Sequence, residues 1–433
     1  AWASSPWANC PWVNGASCGL MSGSDPRARL AAMTPMVVIL ALSFLLGLQP
    51  IATDLYLPAM PQMQQALGVS QADAQWTLSS IVLAFGTAQL VWGPVSDRIG
   101  RRPVLLWGLS LFVLASVATV LAPNLTVMIL ARVAQGLGLA AAVICGRSMI
   151  RDLYAPEEGA RVLSKALSGL GILALVGPLV GGVTAAWLGW RATLAVVGLF
   201  ALIGLGFVAW RLRETLPGDR RQSAMSLGQR VSQWRHITAQ PMFRAYTALT
   251  SSTYGGLYVF LAASPFVFID VLHVSRPVFG AMMASMSLGY LLGTMVCRHR
   301  LPRMGLAGTV RLGAWLSATG GLSGVVLSAI GLIWDWTPQA WMMLPGFWLY
   351  AVAHGIHQPC SQAGVVAAFP QQAGAASALS GFIMSALAFG IAALLCFQLA
   401  FATAVAWPGI RQARPLPSIA NRAPKAGEQG AHS

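Results

Sequence analysis

Two ionisable residues stand inside stretches that are otherwise apolar. Asp54 lies in Pro50-Ile-Ala-Thr-Asp-Leu-Tyr-Leu-Pro58, and Arg132 opens Arg132-Val-Ala-Gln-Gly-Leu-Gly138. In hydrocarbon a charge is costly unless it is hydrated, paired or neutralised, so each is a functional candidate. Burial raises a carboxylate's proton affinity and a nearby cation lowers it. A motion that changes either could load and release a proton at Asp54. Pro50 interrupts its helix and frees backbone carbonyls, as cavity-lining segments often do. Arg132 is the natural partner, about eight residues into its span, or roughly 12 Å at 1.5 Å per residue. The plainer alternatives are a solvated helix end for Asp54 and an interhelical hydrogen bond for Arg132.

A second cluster is Gly93-Pro-Val-Ser-Asp-Arg-Ile-Gly-Arg-Arg-Pro103. It sets Asp97 against Arg98, Arg101 and Arg102 in what reads as a tight loop between apolar segments 75–95 and 103–122. Gly177, Pro178, Gly181 and Gly182 are spaced for close helix packing, with a proline that favours a kink. His354 and His357, at i and i+3 beside Gln358, are expected either to line a substrate path with Gln135 or to hydrogen-bond between helices. With no third ligand in view they are not read as a metal site. Asp270 holds a position like that of Asp54 if the halves repeat, and is expected to be a solvated loop residue.

These groups need a membrane scaffold. The 433 residues are 56% hydrophobic and 9% charged, with a mean hydropathy of +0.66. Soluble domains carry about 25% charged residues. The net charge of +15 does not indicate nucleic acid, because the arginines form no single patch. We read eleven candidate spans: 35–57, 75–95, 103–122, 125–147, 163–187, 190–210, 245–269, 278–297, 307–333, 339–367 and 378–407. With the N-terminus cytoplasmic, the outside loops hold only Arg191 and Arg276, whereas arginines crowd the inside loops, a strong positive-inside pattern. The expected organisation is a leader (1–34), a first bundle (35–210), an arginine-rich cytoplasmic linker (211–244), a second bundle (245–407) and a basic tail (408–433).

The leader does not begin with Met, and Met21 or Met33 is a more natural start. The run 378–407 is too short for two spans, and the tail falls outside by an odd count. A twelfth helix is therefore expected to be missing. Cys145, Cys297, Cys360 and Cys396 read as small buried hydrophobes, and Cys10 and Cys18 have no metal-ligand spacing. Trp76, Trp92, Trp187, Trp190 and Trp341 read as interface anchors. Asn124-Leu125-Thr126 fits a glycosylation sequon but sits against the membrane. No P-loop, dinucleotide fingerprint or nucleophile elbow occurs, so ATP is not the expected energy source.

The Gly93–Pro103 loop, the Arg132–Gly138 segment, Gly177–Gly182 and Thr53-Asp-Leu-Tyr-Leu-Pro-Ala-Met-Pro61 occur in an order that resembles drug:proton antiporters of the major facilitator superfamily. Arg147-Ser-Met-Ile-Arg-Asp-Leu-Tyr154, Gly189-Trp-Arg191 and Ala373-Gly-Ala-Ala-Ser-Ala-Leu379 look like the Bcr/CflA (bicyclomycin and chloramphenicol resistance) subfamily. The resemblance covers about 35–395. It implies an all-α polytopic fold of two six-helix bundles, rocker-switch alternating access and no enzymatic activity or cofactor. It further implies a monomer in the bacterial inner membrane that exchanges protons for amphipathic drugs. Gly93, Asp97, Arg98, Gly100, Arg101 and Arg102 would form the cytoplasmic gate. Asp54 would carry the proton, Arg132 would be its coupled cation, and Gly177, Pro178, Gly181 and Gly182 the flexing or packing point. The alternatives are a dedicated metabolite or amino-acid exporter and a truncated chain that does not transport.

Overall fold

The computed structural model describes residues 33–154, 156–216, 226–334, 339–367, 369 and 372–391. The leader up to residue 32, Cys10, Cys18, Cys396, the basic tail and any twelfth span lie outside the described residues, as do 217–225 of the linker. The described residues are all-α. Helices long and apolar enough to cross a membrane number eight among them, and together they make a polytopic membrane protein.

Helix α1 (Pro35–Thr53) ends in a short 3-10 turn, Leu57–Ala59, before α2 (Met60–Leu67). Then come α3 (Gln71–Ile99), α4 (Arg101–Leu121), α5 (Leu125–Leu153), α6 (Pro156–Trp187) and α7 (Gly189–Arg211). Helix α8 (Leu227–Ala239) lies in the segment expected to be a linker. Its start is a capping box, with Ser226 and Gln229 each bonding the other's backbone. Helix α9 (Pro241–Pro265) runs into a π-helical turn, Phe266–Val271.

Helix α10 (Arg276–Ile333) is formally 58 residues, about 87 Å if straight and far beyond one bilayer. It is in fact two limbs. Gly305, at φ 66° and ψ 178°, breaks it, and a glycine tolerates that conformation best. Both limbs pack on α11 (Ala340–Ala367). A Cβ on Gly293 in the first limb would collide with the Val352 carbonyl, and one on Gly313 in the second would come within 2.5 Å of His357 Nε2. Helix α12 (Ala373–Ile391) begins five residues before the expected span.

Two expectations are corrected here. The Gly93–Pro103 segment is not a hairpin loop. Helix runs through Ile99 and resumes at Arg101, so the break is Gly100 alone, at φ 118°. Trp190 is not an interface anchor. It is buried, and Arg191 lies 4.1 Å over its ring. Asn124 caps α5, accepting from the Val127 amide at 3.0 Å. Cys145, Cys297 and Cys360 are buried and free.

Candidate functional site

The N-cap at Asn124 starts the helix that carries Arg132 inward. Arg132 is 1% exposed. Nη1 donates to the Ala52 carbonyl at 3.2 Å and to Gln135 Oε1 at 3.1 Å. The guanidinium carbon lies 4.1 Å above the Tyr56 ring, a cation–π contact strengthened by the absence of water. Gln135 in turn donates to Ser116 Oγ at 2.8 Å, and the Tyr56 hydroxyl meets Thr77 Oγ1 at 2.9 Å. Arg132 therefore ties α1 to α5 directly, and reaches α4 and α3 through its neighbours.

The expected pairing of Arg132 with Asp54 is not an ion pair. Among the described residues the ion pairs are Arg101–Asp97 and Arg101–Asp152. Asp54 accepts instead from Thr53 Oγ1 at 2.7 Å. The two charges nevertheless share one level, since Arg132 bonds the carbonyl two residues before Asp54. Nε and Nη2 of Arg132 have no partner among the described residues. A buried guanidinium with unused donors is poised to accept an anion.

Asp54 is partly buried and does not end its apolar segment. The turn after it, Leu55 to Met60, is buried. Gly181 explains the turn's position: a Cβ there would collide with the Leu55 carbonyl. Gly177 takes ordinary van der Waals contact with Ile51, and Gly182 packs on the Arg276 carbonyl of α10. The expected packing stripe thus has two faces. Gly177 serves α1 and Gly181 the turn after it, while Gly182 and Pro178 serve α10.

Opposite Asp54 stands Tyr254 of α9, close enough to Asp54 and Gln49 to interact with both. The Tyr254 ring lies 6.5 Å from that of His354, which lies 5.8 Å from that of Tyr290. The Tyr290 hydroxyl donates to Gln358. A row of polar and aromatic groups thus runs from α1 through α9 and α11 to α10. Sequence reasoning missed Tyr254 and Tyr290, because nothing local distinguishes an interior tyrosine from an interfacial one.

Of the two histidines, His357 makes the expected helix–helix hydrogen bond. His357 Nε2 lies 3.1 Å from the Val310 carbonyl, a helix–helix contact. His354 faces the tyrosines, and its Nδ1 is without a partner among the described residues. Gln135 does not line an open space. It is fully buried, with its amide occupied by Arg132 and Ser116. Asp270 is exposed within the π-helical turn rather than in a loop.

The charged cluster at Gly93–Pro103 is a knot among helices of the first half. Arg101 meets Asp97 at 2.6 Å, Asp152 at 2.9 Å and Ser96 Oγ at 2.6 Å. Glu214 accepts from the backbone amides of Arg101 at 2.9 Å and Arg102 at 3.2 Å. A carboxylate at a helix N-terminus meets free donors and the positive end of the helix dipole. Arg102 donates to the Leu212 and Ala209 carbonyls at 2.8 and 2.9 Å, while Arg98 is exposed. Neither Asp152 nor Glu214 was assigned a part from sequence. The short spacing of Asp152 from Arg147 and Arg151 was the available signal, whereas Glu214 is distant from Gly100 in the chain.

Residues 42–393 match the family described as Major Facilitator Superfamily. The chain is 30% identical to a chloramphenicol resistance protein of Pseudomonas aeruginosa, over 80% of this chain and 82% of that one. It is 28% identical to multidrug resistance protein D of Escherichia coli (strain K12), over 79% and 84%. In fold it is similar to the peptide transporter POT, at a TM-score of 0.67 and 14% identity, covering 90% of this chain and 97% of that one. The D-xylose-proton symporter gives 0.64 at 15% identity, over 85% and 95%.

Proposed function

The chain belongs to the Major Facilitator Superfamily, and on that premise we propose that it is a proton-coupled exporter of amphipathic drugs of the Bcr/CflA kind. It is a secondary-active transporter rather than an enzyme, a multi-pass protein of the bacterial inner membrane with homology to drug-resistance proteins. In the proposed organisation, bundles at 35–210 and 245–407 rock about a midplane site, joined by 211–244.

The observation that carries this reading is the buried Arg132, which has two donors without a partner among the described residues and lies at the level of Asp54. In one facing state Asp54 is protonated from outside and Arg132 rests on Tyr56. A conformational change that carried the Asp54 carboxylate to the unused donors of Arg132, which it does not contact here, would favour its ionised form and release the proton. Drug entering between Tyr254 and His354 would compete for that arrangement. The Asp97–Arg101 cluster, tied within the first half, would act as a gate by meeting and parting from the second half as the halves rock. Names of relatives support the drug class, and the aromatic row supports an amphipathic cargo.

The test is efflux of chloramphenicol and of a fluorescent lipophilic cation from cells lacking their own pumps, with and without a protonophore. Protonophore-sensitive efflux is expected. Efflux that persists after the gradient collapses removes proton coupling. The hydrogen-bonded pair Tyr290–Gln358 beside His354 is the one feature favouring a dedicated metabolite or amino-acid exporter. Competition by amino acids, with no drug efflux, would select that reading.

A further inference from the structure

The two limbs of α10 and the adjoining face of α11 enclose an open groove of about 500 Å³. Its walls are apolar: Met295, Leu312, Leu316 and Val352. His299 and Arg300 close one end.

The groove opens onto surface that a bilayer would cover. Leu288 is 47% exposed, Leu292 56% and Met295 59%, successive residues on one side of the first limb. The closed end is cationic. Arg298, His299, Arg300 and Arg303 finish the first limb, Arg311 lies near the start of the second, and all are exposed. The turn at Gly305 gathers them at one membrane face. No Asp or Glu occurs between 276 and 333. None of these residues belongs to an ion pair among those described. The positive-inside count puts this end at the cytoplasmic surface, where anionic headgroups attract basic side chains.

An apolar trough ending in uncompensated cations matches one kind of occupant. We propose that the groove seats an acyl chain of an anionic phospholipid, with its phosphate held by His299 and Arg300 in the field of Arg298, Arg303 and Arg311. Arg300 would bind two phosphate oxygens through its planar fork. Its aliphatic stem would cover the end of the acyl chain. A seated lipid would fill the gap between the two limbs of α10 and α11.

The test uses the purified chain in phosphatidylethanolamine nanodiscs with a minor fraction of phosphatidylglycerol carrying a diazirine on its acyl chain. After irradiation, labelled peptides are mapped. Labelling concentrated on 295–300, 312–316 and the turn around Val352 is expected, and should fall about fivefold in Arg300→Gln. Leu312→Trp, which fills the groove and keeps every charge, should remove it. Labelling spread evenly over the lipid-facing helices overturns the proposal. So does equal labelling by the same acyl probe on a phosphatidylcholine headgroup. Charge-dependent labelling that survives Leu312→Trp also overturns it, because a surface field without a groove would then suffice. The mapping and the headgroup comparison need only the unaltered chain, so a variant that fails to fold leaves the proposal refutable.

Discussion

The guanidinium of Arg132 lies 4.1 Å above the ring of Tyr56 and makes no ion pair with Asp54. A buried cation is held here by an aromatic face, one carbonyl and one amide oxygen. Its Nε and Nη2 have no partner among the described residues. A closed Arg–carboxylate pair would be stable and silent, whereas an open one can change partner.

Arg132→Lys keeps the charge and loses the planar fork and the stacking. Proton-coupled efflux is expected to fall by about tenfold or more, the equivalent of roughly 1.4 kcal/mol. Tyr56→Leu should behave similarly, because it removes the cation–π contact and the hydroxyl contact with Thr77. Transport into proteoliposomes under an imposed pH gradient measures both. Undiminished transport in Arg132→Lys would reduce this residue to a fixed charge.

Asp54→Asn preserves shape and the Thr53 contact but cannot lose a proton. Coupled efflux should vanish while the amount of protein in the membrane stays unchanged. Retained transport driven by a pH gradient would falsify the assignment of Asp54 as proton carrier. Thr53→Val, which removes the 2.7 Å hydroxyl donor to the carboxylate, should alter the pH dependence of transport more than its maximum rate.

Two glycines in long helices separate packing from propensity. Gly181→Ala would drive a methyl into the Leu55 carbonyl and shift the turn carrying Asp54. Overpacking of this kind costs about 1–3 kcal/mol, so a lower melting temperature and slower transport should appear together. Gly93→Ala meets open space and gains helix propensity of about 1 kcal/mol. Thermal unfolding of the two variants should therefore move in opposite directions.

Glu214→Gln weakens the acceptor for two amides at the start of α4. A loss of about 1 kcal/mol is expected, in the range of capping interactions. Arg98→Gln, at an exposed site, should leave stability within about 0.5 kcal/mol. Equal effects in detergent melts would dismiss the knot as the reason for these charges. Asp97→Ala, which breaks the 2.6 Å contact with Arg101, should slow turnover more than it weakens drug binding.

The histidines give the last contrast. His354→Phe keeps the ring between Tyr254 and Tyr290 and removes the polar edge. It should change which drugs are exported with little loss of stability. His357→Phe breaks the contact with the Val310 carbonyl, and losing one such hydrogen bond costs about 1 kcal/mol. Drug-by-drug resistance profiles and melting temperatures should separate the pair. Identical profiles would place both residues in plain helix packing.

Composition and charge alone were enough to read a many-spanning α-helical membrane chain, because hydrocarbon excludes charge and leaves helices as the simple way to satisfy the backbone. Asp54 and Arg132 stood out for the same reason: an ionisable group in an apolar run is visible without coordinates. The spacing of Gly177, Pro178, Gly181 and Gly182 announced close packing but not its partners, since a helix stripe does not say which neighbours it meets. Tertiary structure decided those. It turned Gly181 to Leu55 and Gly182 to Arg276, brought Glu214 to the amides of Arg101 and Arg102, and laid Arg132 on Tyr56. These contacts join residues that are far apart in the sequence and lie on different elements. They depend on how helices cross and rotate, information that a local pattern of residue types does not carry.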